Sequence, residues 1–307
     1  MTLGKGRDSM TNIAGPDLQA TIQSWDESAW SLAALALAAR GDSPPGLAAA
    51  AWELLAAAGL TGAPGQPPRG LGTSTPRQIA SQAAAPLHQA SALLSGTGNG
   101  WSAQSDEALL AQGTASAQAA RPFAEFLLPG MGDLAGRLAA PGARMLDVGT
   151  GVAALAVGFA EAFPQLHVVG IDILGRALDL ARRTLATSDV AARVTVRRQD
   201  VAGFADDAGF DLAFLPAPFI AQPALRRGVP RVAAALRTGG WLMVAHGRFG
   251  GTPVQDALTR LKTIAYGGTP LDEAASCHLL RSAGLTSVRP VPTPAGAPAI
   301  TIGQKPA

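Results

Sequence analysis

Apolar and polar positions along the chain follow two rhythms. From about residue 16 to 140, apolar side chains recur at helical spacing and strand-like alternation is scarce. From about 141 to 307, short apolar runs alternate with helical stretches. In the first region, residues 17–39 predict a helix with Ile22, Trp25, Trp30 and Leu32 among its apolar positions. Ser43 before Pro44 and Pro45 is a helix-start signal, and an Ala-rich helix over 46–58 is ended by Gly59. Gly/Pro-rich stretches at 62–72 and 96–100 read as loops around a helix from Thr75-Pro76 to about Leu94. Ser105 caps a run opening with Asp106 and Glu107, whose charges suit the positive helix end. Residues 122–128 and 132–139 complete a helical module.

In the second region, strands are predicted at 144–148, 167–171, 193–197, 210–215 and 241–245. Helices at 152–162, 175–186 and 222–236 lie between them. A helix at 271–283 precedes two strands, 286–291 and 299–302, with no helix between those two. Strands alternating with helices imply a parallel sheet covered on both faces, and the final pair implies an antiparallel hairpin. The expected fold class is therefore α/β. It is a Rossmann-like, seven-stranded, mostly parallel sheet with helices on both faces and a terminal hairpin, plus an all-helical N-terminal domain. The expected domains are a flexible N-terminus (1–15), a helical dimerisation or lid domain (16–140) and a ligand-binding domain (141–307).

Composition narrows the partners. Apolar residues make up 48% of the 307, enough for a sizeable core. The net charge is +2 and arginine carries most of the positive charge, the lysines being Lys5, Lys262 and Lys305. With the Ala and Gly excess this reads as coding bias. Arg193, Arg197 and Arg198, with Arg182 and Arg183, read as solvated helix and strand edges rather than a phosphate-binding patch. No nucleic-acid partner is expected. Cys277 is the one cysteine, so no disulfide within the chain and no Cys/His metal cluster is expected. Residues 1–15 lack the apolar core of a signal peptide, and no run reaches the ~18 apolar residues of a membrane span. A cytoplasmic protein without a membrane partner is expected.

The sharpest chemical signal is Leu146-Asp147-Val148-Gly149-Thr150-Gly151-Val152-Ala153-Ala154, a Gly-rich turn between a strand and a helix. Such a turn lets a ligand approach the backbone and points helix-start N–H groups into the crevice. Asp172 follows one helix and one strand later, at the tip of the adjacent strand, where a carboxylate accepts from ribose hydroxyls. Asp200 ends the third strand, where it can accept from an adenine amino group. Ile173 and Val201 are the apolar neighbours of these acids. Read as Gly149-x-Gly151-x-x-Ala154 with Asp172, the same residues also fit a dinucleotide fingerprint. Asp147, Asp200 and the terminal hairpin favour S-adenosylmethionine (SAM).

On these residues, 141–307 resembles a class I SAM-dependent methyltransferase. Asp147, Gly149 and Gly151 match the family's first motif, which departs at Ala153 where a third glycine is usual. The resemblance implies that Asp172 binds ribose and Asp200 adenine, and that Thr150, Ile173, Val201 and Pro216 line the cofactor site. Residues 211–219 match the region after the fourth strand that faces the methyl group and the acceptor. Residues 236–241 resemble the turn before strand five, with Thr238 in place of proline. The N-terminal half resembles the helical, often dimerising extension of small-molecule methyltransferases of bacterial specialised metabolism. The His-Asp-Trp segment of plant-type O-methyltransferases is missing, and Pro216-Ala217-Pro218 stands near that place. The cofactor implied is SAM, leaving S-adenosylhomocysteine (SAH), with no metal.

Methyl transfer from a sulfonium is an in-line displacement in which positioning counts for much, and a base is needed only where the nucleophile must lose a proton. Among the histidines, His88 and His167 read as structural or solvated. His246, just after strand five, and His278, on the late helix, are the candidate bases. Trp101, Phe219, Phe249 and Tyr266 are candidate acceptor walls, and Gln112 and Ser116 candidates for covering the methionine end of the cofactor. The expected activity is methyl transfer to a small apolar or aromatic acceptor, with oxygen first, carbon a close competitor and nitrogen third. Two alternatives stay open: an NAD(P)-dependent oxidoreductase on the same turn, and a SAM-binding regulatory protein without turnover. A homodimer through the N-terminal helices is expected.

Overall fold

The computed structural model describes residues 18–61, 66, 75–94, 100–117, 119–207, 209–293 and 297–306. The expected flexible N-terminus and most of the loops at 62–72 and 96–100 lie outside these residues.

The chain forms two compact units, Met1–Leu87 and His88–Ala307. In the first, α1 (Leu18–Arg40) and α2 (Pro45–Ala57) pair through Ala34, Ala51 and Leu55, with Leu35, Leu37 and Trp52 against them. Helix α3 (Pro76–Leu94) runs across the division.

The second unit adds α4 (Asp106–Ala117), α5 (Ala120–Pro122), α6 (Leu134–Ala139), β1 (Arg144–Val148) and α7 (Ala154–Ala162). It continues with β2 (His167–Asp172), α8 (Gly175–Ala186), β3 (Val194–Arg198), β4 (Phe210–Pro216), α9 (Gln222–Ala235) and β5 (Leu236–His246). Helices α10 (Pro253–Ala265) and α11 (Glu273–Ser282) precede β6 (Thr286–Val291) and β7 (Ala299–Gln304). The strands lie in the order β3-β2-β1-β4-β5-β7-β6. Strands β1 to β5 pair in parallel, and β7 runs antiparallel to both β5 and β6. The expected sheet is the observed one.

Successive residues of a strand point to opposite faces, and both faces are buried. Met145 and Leu212 pack with Phe159 of α7 and Leu134 and Leu138 of α6. Leu146, Val148, Ala213 and Leu215 pack on the other side with Val229 of α9 and Leu280 of α11.

Three expectations are corrected. The packing divides the chain at residues 87 and 88, not at 140, because Phe123, Leu134 and Leu138 are built into the core on one face of the sheet. Gly239-Gly240 is not a turn ahead of strand five but a bulge inside it: β5 already pairs at Leu236, and its register with β4 shifts between Phe210 and Leu212. Helix α10 lies where no element was expected.

Candidate functional site

Strands β1 and β4 are sheet neighbours, yet β2 and β3 leave β1 on one side and β5 leaves β4 on the other. That reversal opens a crevice at the carboxyl ends of the strands, where open α/β sheets bind ligands. The Gly-rich turn sits at its β1 side. Gly149 and Gly151 have φ of 67° and 57°, in the left-handed region that glycine tolerates. Ala153, where a third glycine was the usual residue, keeps the same conformation with φ 62°. A Cβ there costs about 1–2 kcal/mol, so the departure is not free.

The turn is self-satisfied. Gly149 and Thr150 N–H donate to the Ile171 carbonyl at 2.8 and 3.1 Å, and Ala153 N–H to Thr150 at 2.9 Å. Gly151 N–H donates to Asp172 Oδ2 at 2.9 Å. These four amides of the turn are spent inside the protein; the helix-start amides expected to face the crevice are those from Ala154, where α7 begins.

Asp172 also accepts from Leu174 N–H, at 2.8 Å on Oδ1. Burial raises its pKa, against the opposing effect of those backbone hydrogen bonds. Asp147 is fully buried and accepts from the Thr150 hydroxyl at 2.7 Å. Burial pushes its carboxyl up to about 7; Thr150 opposes this and the Asp172 charge adds to it. A folded-state pKa above the unfolded one means that this group's stabilisation is complete below pH 4 and is lost as pH rises towards 7. Asp147→Asn is therefore expected to flatten the fall in stability of the ligand-free protein between pH 5 and 8, and to raise stability at pH 8 by up to about 4 kcal/mol. Thermal melts across that range check this, and an unchanged pH slope refutes it.

At the tip of β3, Asp200 is exposed and its Oδ1 accepts from Ala202 N–H at 2.8 Å, with Val201 buried beside it. Ile173 at the tip of β2 is 66% exposed. Pro216 ends β4 across the crevice: a Cβ on Gly149 would lie 3.6 Å from its Cγ.

Three of the four candidate wall residues come together. The Trp101 ring stacks on Tyr266 with centroids 5.4 Å apart and an interplanar angle of 26°. Phe219 stands against Trp101 at 5.2 Å and against Tyr266 at 5.3 Å. Backbone bonds draw their segments together: Gly100 N–H to Ala265 O at 2.9 Å and Thr269 N–H to Ala217 O at 3.0 Å. Gly268 passes so close to Pro218 that a Cβ would stand 1.8 Å from the Pro218 carbonyl oxygen. Trp101 also packs against the small cluster of Leu109, Val152, Ala177 and Leu180, whose Val152 belongs to the Gly-rich turn. Helix α4 closes over that turn, where a Cβ on Gly113 would meet Val152 Cγ2 at 2.2 Å. Burial pushes the Tyr266 hydroxyl up to about 12.

Other candidates lie elsewhere. Phe249 folds back on Gly247, with the Arg260 guanidinium 5.4 Å from its ring centroid. His246 is buried, and both ring nitrogens are engaged, Nδ1 with the Gly247 carbonyl at 3.0 Å and Nε2 with the Thr301 hydroxyl at 2.9 Å. Burial lowers its pKa. Neutral and doubly partnered, it ties β5 to β7 and offers no lone pair to an acceptor, which corrects its assignment as a base. His278 is exposed on α11, with Ser282 Oγ 3.5 Å from Nε2, and lines a groove of about 930 Å³ with Gln222 and Arg226. Asp211, read as the start of the acceptor-facing segment, lies near the opposite end of β4. It is bound there by Arg137 and Arg237, and only 216–219 of that segment reaches the crevice. The hydrogen bonds from Tyr266 to Gln89 and from Gln89 to Gln112 escaped the sequence reading, since they span 177 and 23 residues. Among the described residues, no group of His, Cys, Asp and Glu is arranged to hold a metal.

Comparison with known proteins agrees with this geometry. Residues 145–240 match a family model described as a methyltransferase domain. Release factor glutamine methyltransferases of Rhodopirellula baltica and Chlorobaculum tepidum are 34% and 36% identical over 105 and 106 residues. The alignments cover 33% and 31% of this chain and 36% of each relative, so the chain spans about a third of the length of the relatives it matches. An O-methyltransferase family protein of Burkholderia thailandensis is similar in structure over 96% of this chain and 99% of its own, with a TM-score of 0.61 and 17% identity. Human N-acetylserotonin methyltransferase, solved with SAM, is similar over 96% and 100%, with a TM-score of 0.63 and 14% identity. PigF, solved with SAH, is similar over 95% and 100%, with a TM-score of 0.66 and 19% identity. The fold is that of these methyltransferases.

Proposed function

We propose that the chain, whose residues 145–240 form a methyltransferase domain, is a SAM-dependent methyltransferase acting on a small, apolar or aromatic acceptor. The observation that carries this reading is a crevice bordered by the Gly149–Gly151 turn and the acids at the tips of β2 and β3, with three aromatic rings beside it.

The residues present fit the cofactor. A carboxylate has about four lone-pair positions, and the two backbone bonds of Asp172 leave capacity for a ribose diol. Ile173 is an uncovered apolar side chain beside it, as the face of a purine ring needs, while Val201 is buried beside Asp200. Asp200 would accept from the adenine amino group, and the close approach of Gly149 to Pro216 shapes the floor between β1 and β4. Thr150 holds Asp147 at the head of the turn. When bound, the cofactor supplies a methyl group already activated on a sulfonium. The chain's own task is then to orient the acceptor and exclude water. Trp101, Phe219 and Tyr266 form the apolar wall for that task.

Oxygen is the first choice of accepting atom, in keeping with the O-methyltransferase named among the structural neighbours. Carbon is the close competitor, because His246 is engaged in the sheet and a proton-requiring acceptor would need another base. The glutamine-methylating relatives bring amide nitrogen in as a third choice. The dinucleotide reading is the competing one: a pyrophosphate needs helix-start amides, and those of α7 begin at Ala154, beyond the four bonded amides of the turn. Titration calorimetry with SAM, SAH and NADPH tests the reading. Micromolar binding of the first two and none of NADPH is expected, followed by methyl transfer to members of an aromatic acceptor panel. NADPH binding without SAM binding overturns it, and SAM binding without transfer to any acceptor favours the regulatory alternative.

Self-association through the N-terminal helices belongs to the same reading. Leu18, Ile22 and Trp25, spaced i, i+4, i+7 on α1, are exposed, Trp25 by 66%, as is Trp30 nearby. An apolar stripe of this kind marks an interaction surface. Light scattering is expected to give twice the chain mass, and Ile22→Glu with Trp25→Glu to give the monomer mass; a monomeric parent protein refutes the assignment. A cytoplasmic location is part of this reading. Among the described residues, no helix is long and apolar enough to cross a membrane.

A further inference from the structure

The aromatic cluster carries one polar attachment. Tyr266 Oη donates to Gln89 Oε1 at 2.5 Å, Gln89 Nε2 to Gln112 Oε1 at 3.1 Å and Gln112 Nε2 to Ser116 Oγ at 3.3 Å. Ser116 Oγ in turn donates to the Gln112 backbone carbonyl at 3.0 Å. The direction of the whole chain follows from its last member. A backbone carbonyl only accepts, so the Ser116 proton is spent on it and its oxygen must accept from the Gln112 amide. The Gln112 carbonyl then faces Gln89 and takes its NH₂, which turns the Gln89 carbonyl towards Tyr266. The phenol therefore gives its only proton to Gln89. What remains at Tyr266 is an oxygen with acceptor capacity alone, strengthened by the donation it makes. It belongs to a ring that stacks on Trp101 and meets Phe219 edge-on.

From this arrangement we infer that the Tyr266 oxygen, fixed by Gln89, Gln112 and Ser116, selects and orients the acceptor. It takes a hydrogen bond from a hydroxyl or N–H on the edge of a planar aromatic ligand held by Trp101 and Phe219. The inference rests on the methyltransferase reading and names the substrate class of that same site. Tyr266 is a positioning residue: burial keeps its proton in place through the physiological range, so it works by orientation and not by proton removal. A ligand edge bearing only a carbonyl or ether oxygen would face acceptor against acceptor and be disfavoured. Where the bonded hydroxyl is itself the methylated group, the ether formed can no longer donate, so the product loses the contact that oriented the substrate.

The test pairs a change in the protein with the same change in the ligand. Binding of 2-naphthol, naphthalene and 2-methoxynaphthalene to the full chain is measured by quenching of tryptophan fluorescence, with and without SAH. These probes share one aromatic frame and differ in a single donor. The parent protein is expected to prefer 2-naphthol about tenfold over the other two. Tyr266→Phe is expected to bring the three within twofold while leaving naphthalene affinity unchanged. Gln89→Met, which frees the Tyr266 proton for donation, is expected to bring 2-methoxynaphthalene within twofold of 2-naphthol while naphthalene stays the weakest, with every ring intact, and it serves where Tyr266→Phe fails to fold. A tenfold preference surviving both variants, no preference in the parent protein, or no binding of any probe overturns the inference. SAH calorimetry on the same samples reports separately on the methyltransferase reading, since neither experiment requires turnover.

Discussion

Asp172→Ala is expected to weaken SAH binding roughly a hundredfold in titration calorimetry. Its carboxylate has two tasks at the tip of β2. One is to receive the ribose hydroxyls under the proposed function; a hydrogen bond to a charged group is worth about 1.5–3 kcal/mol. The other is to hold Gly151 and Leu174 by their amides, at 2.9 and 2.8 Å. Alanine removes both, so the diol loses its partner while the turn that shapes the crevice loses its anchor. At about 1.4 kcal/mol per tenfold, one strong pair lost and a loosened turn amount to about two orders of magnitude. Asp172→Asn keeps one carbonyl acceptor and is expected to lose about tenfold. The ligand-free fold should change little, because burial raises the pKa of this group despite its two amide bonds: the folded state gains little from its charge. The same direction makes SAH binding weaken towards acid sooner than an ordinary aspartate would allow, since protonation removes an acceptor. Affinity within threefold of the parent protein in Asp172→Ala would remove Asp172 from the cofactor site.

What was legible in the sequence was whatever is local. The turn at 149–151 and the acids at 172 and 200 are set by strand–turn–helix periodicity, which also placed the seven strands and the terminal hairpin. Contacts across long separations were not legible. Trp101, Phe219 and Tyr266 each drew attention singly, but it is the packing of Gly268 on Pro218 and the bonds from Gly100 to Ala265 and from Thr269 to Ala217 that bring them together. His246 looked like a base because it follows strand five; its partner Thr301 lies 55 residues away on a strand whose register cannot be read in advance. The fate of the turn's amides was hidden for a similar reason, since the Ile171 carbonyl that takes two of them belongs to the neighbouring strand. Helix α10 did carry a local signal. Thr252-Pro253-Val254-Gln255 forms a capping box with proline at the first helical position, but the preceding Gly250-Gly251 reads as loop and masks it.

The largest expected effect on stability lies at the other end of the same sheet. Asp211→Ala should lower the stability of the folded protein by about 3–5 kcal/mol, the usual result of removing one partner from a buried ion pair. Asp211 is buried and receives Arg137 Nη2 on Oδ1 at 3.0 Å and Arg237 Nη1 on Oδ2 at 2.7 Å, together with the backbone N–H of Arg144 at 3.0 Å. Arg137 also donates to the Thr238 carbonyl at 2.8 Å. One carboxylate thus joins α6, the start of β1, β4 and the first residues of β5, and its loss leaves a half-buried Arg137 without its counter-charge. Denaturant unfolding followed by circular dichroism measures the loss. Asp211 sits near the amino end of β4, away from the crevice, so the fraction that remains folded should bind SAH with parent affinity. That pairing of results separates the two aspartates: position 172 should govern binding with little effect on folding, and position 211 folding with little effect on binding. A variant at 211 that stays as stable as the parent protein but fails to bind SAH would reverse the assignment and place the functional end of the sheet at its amino edge.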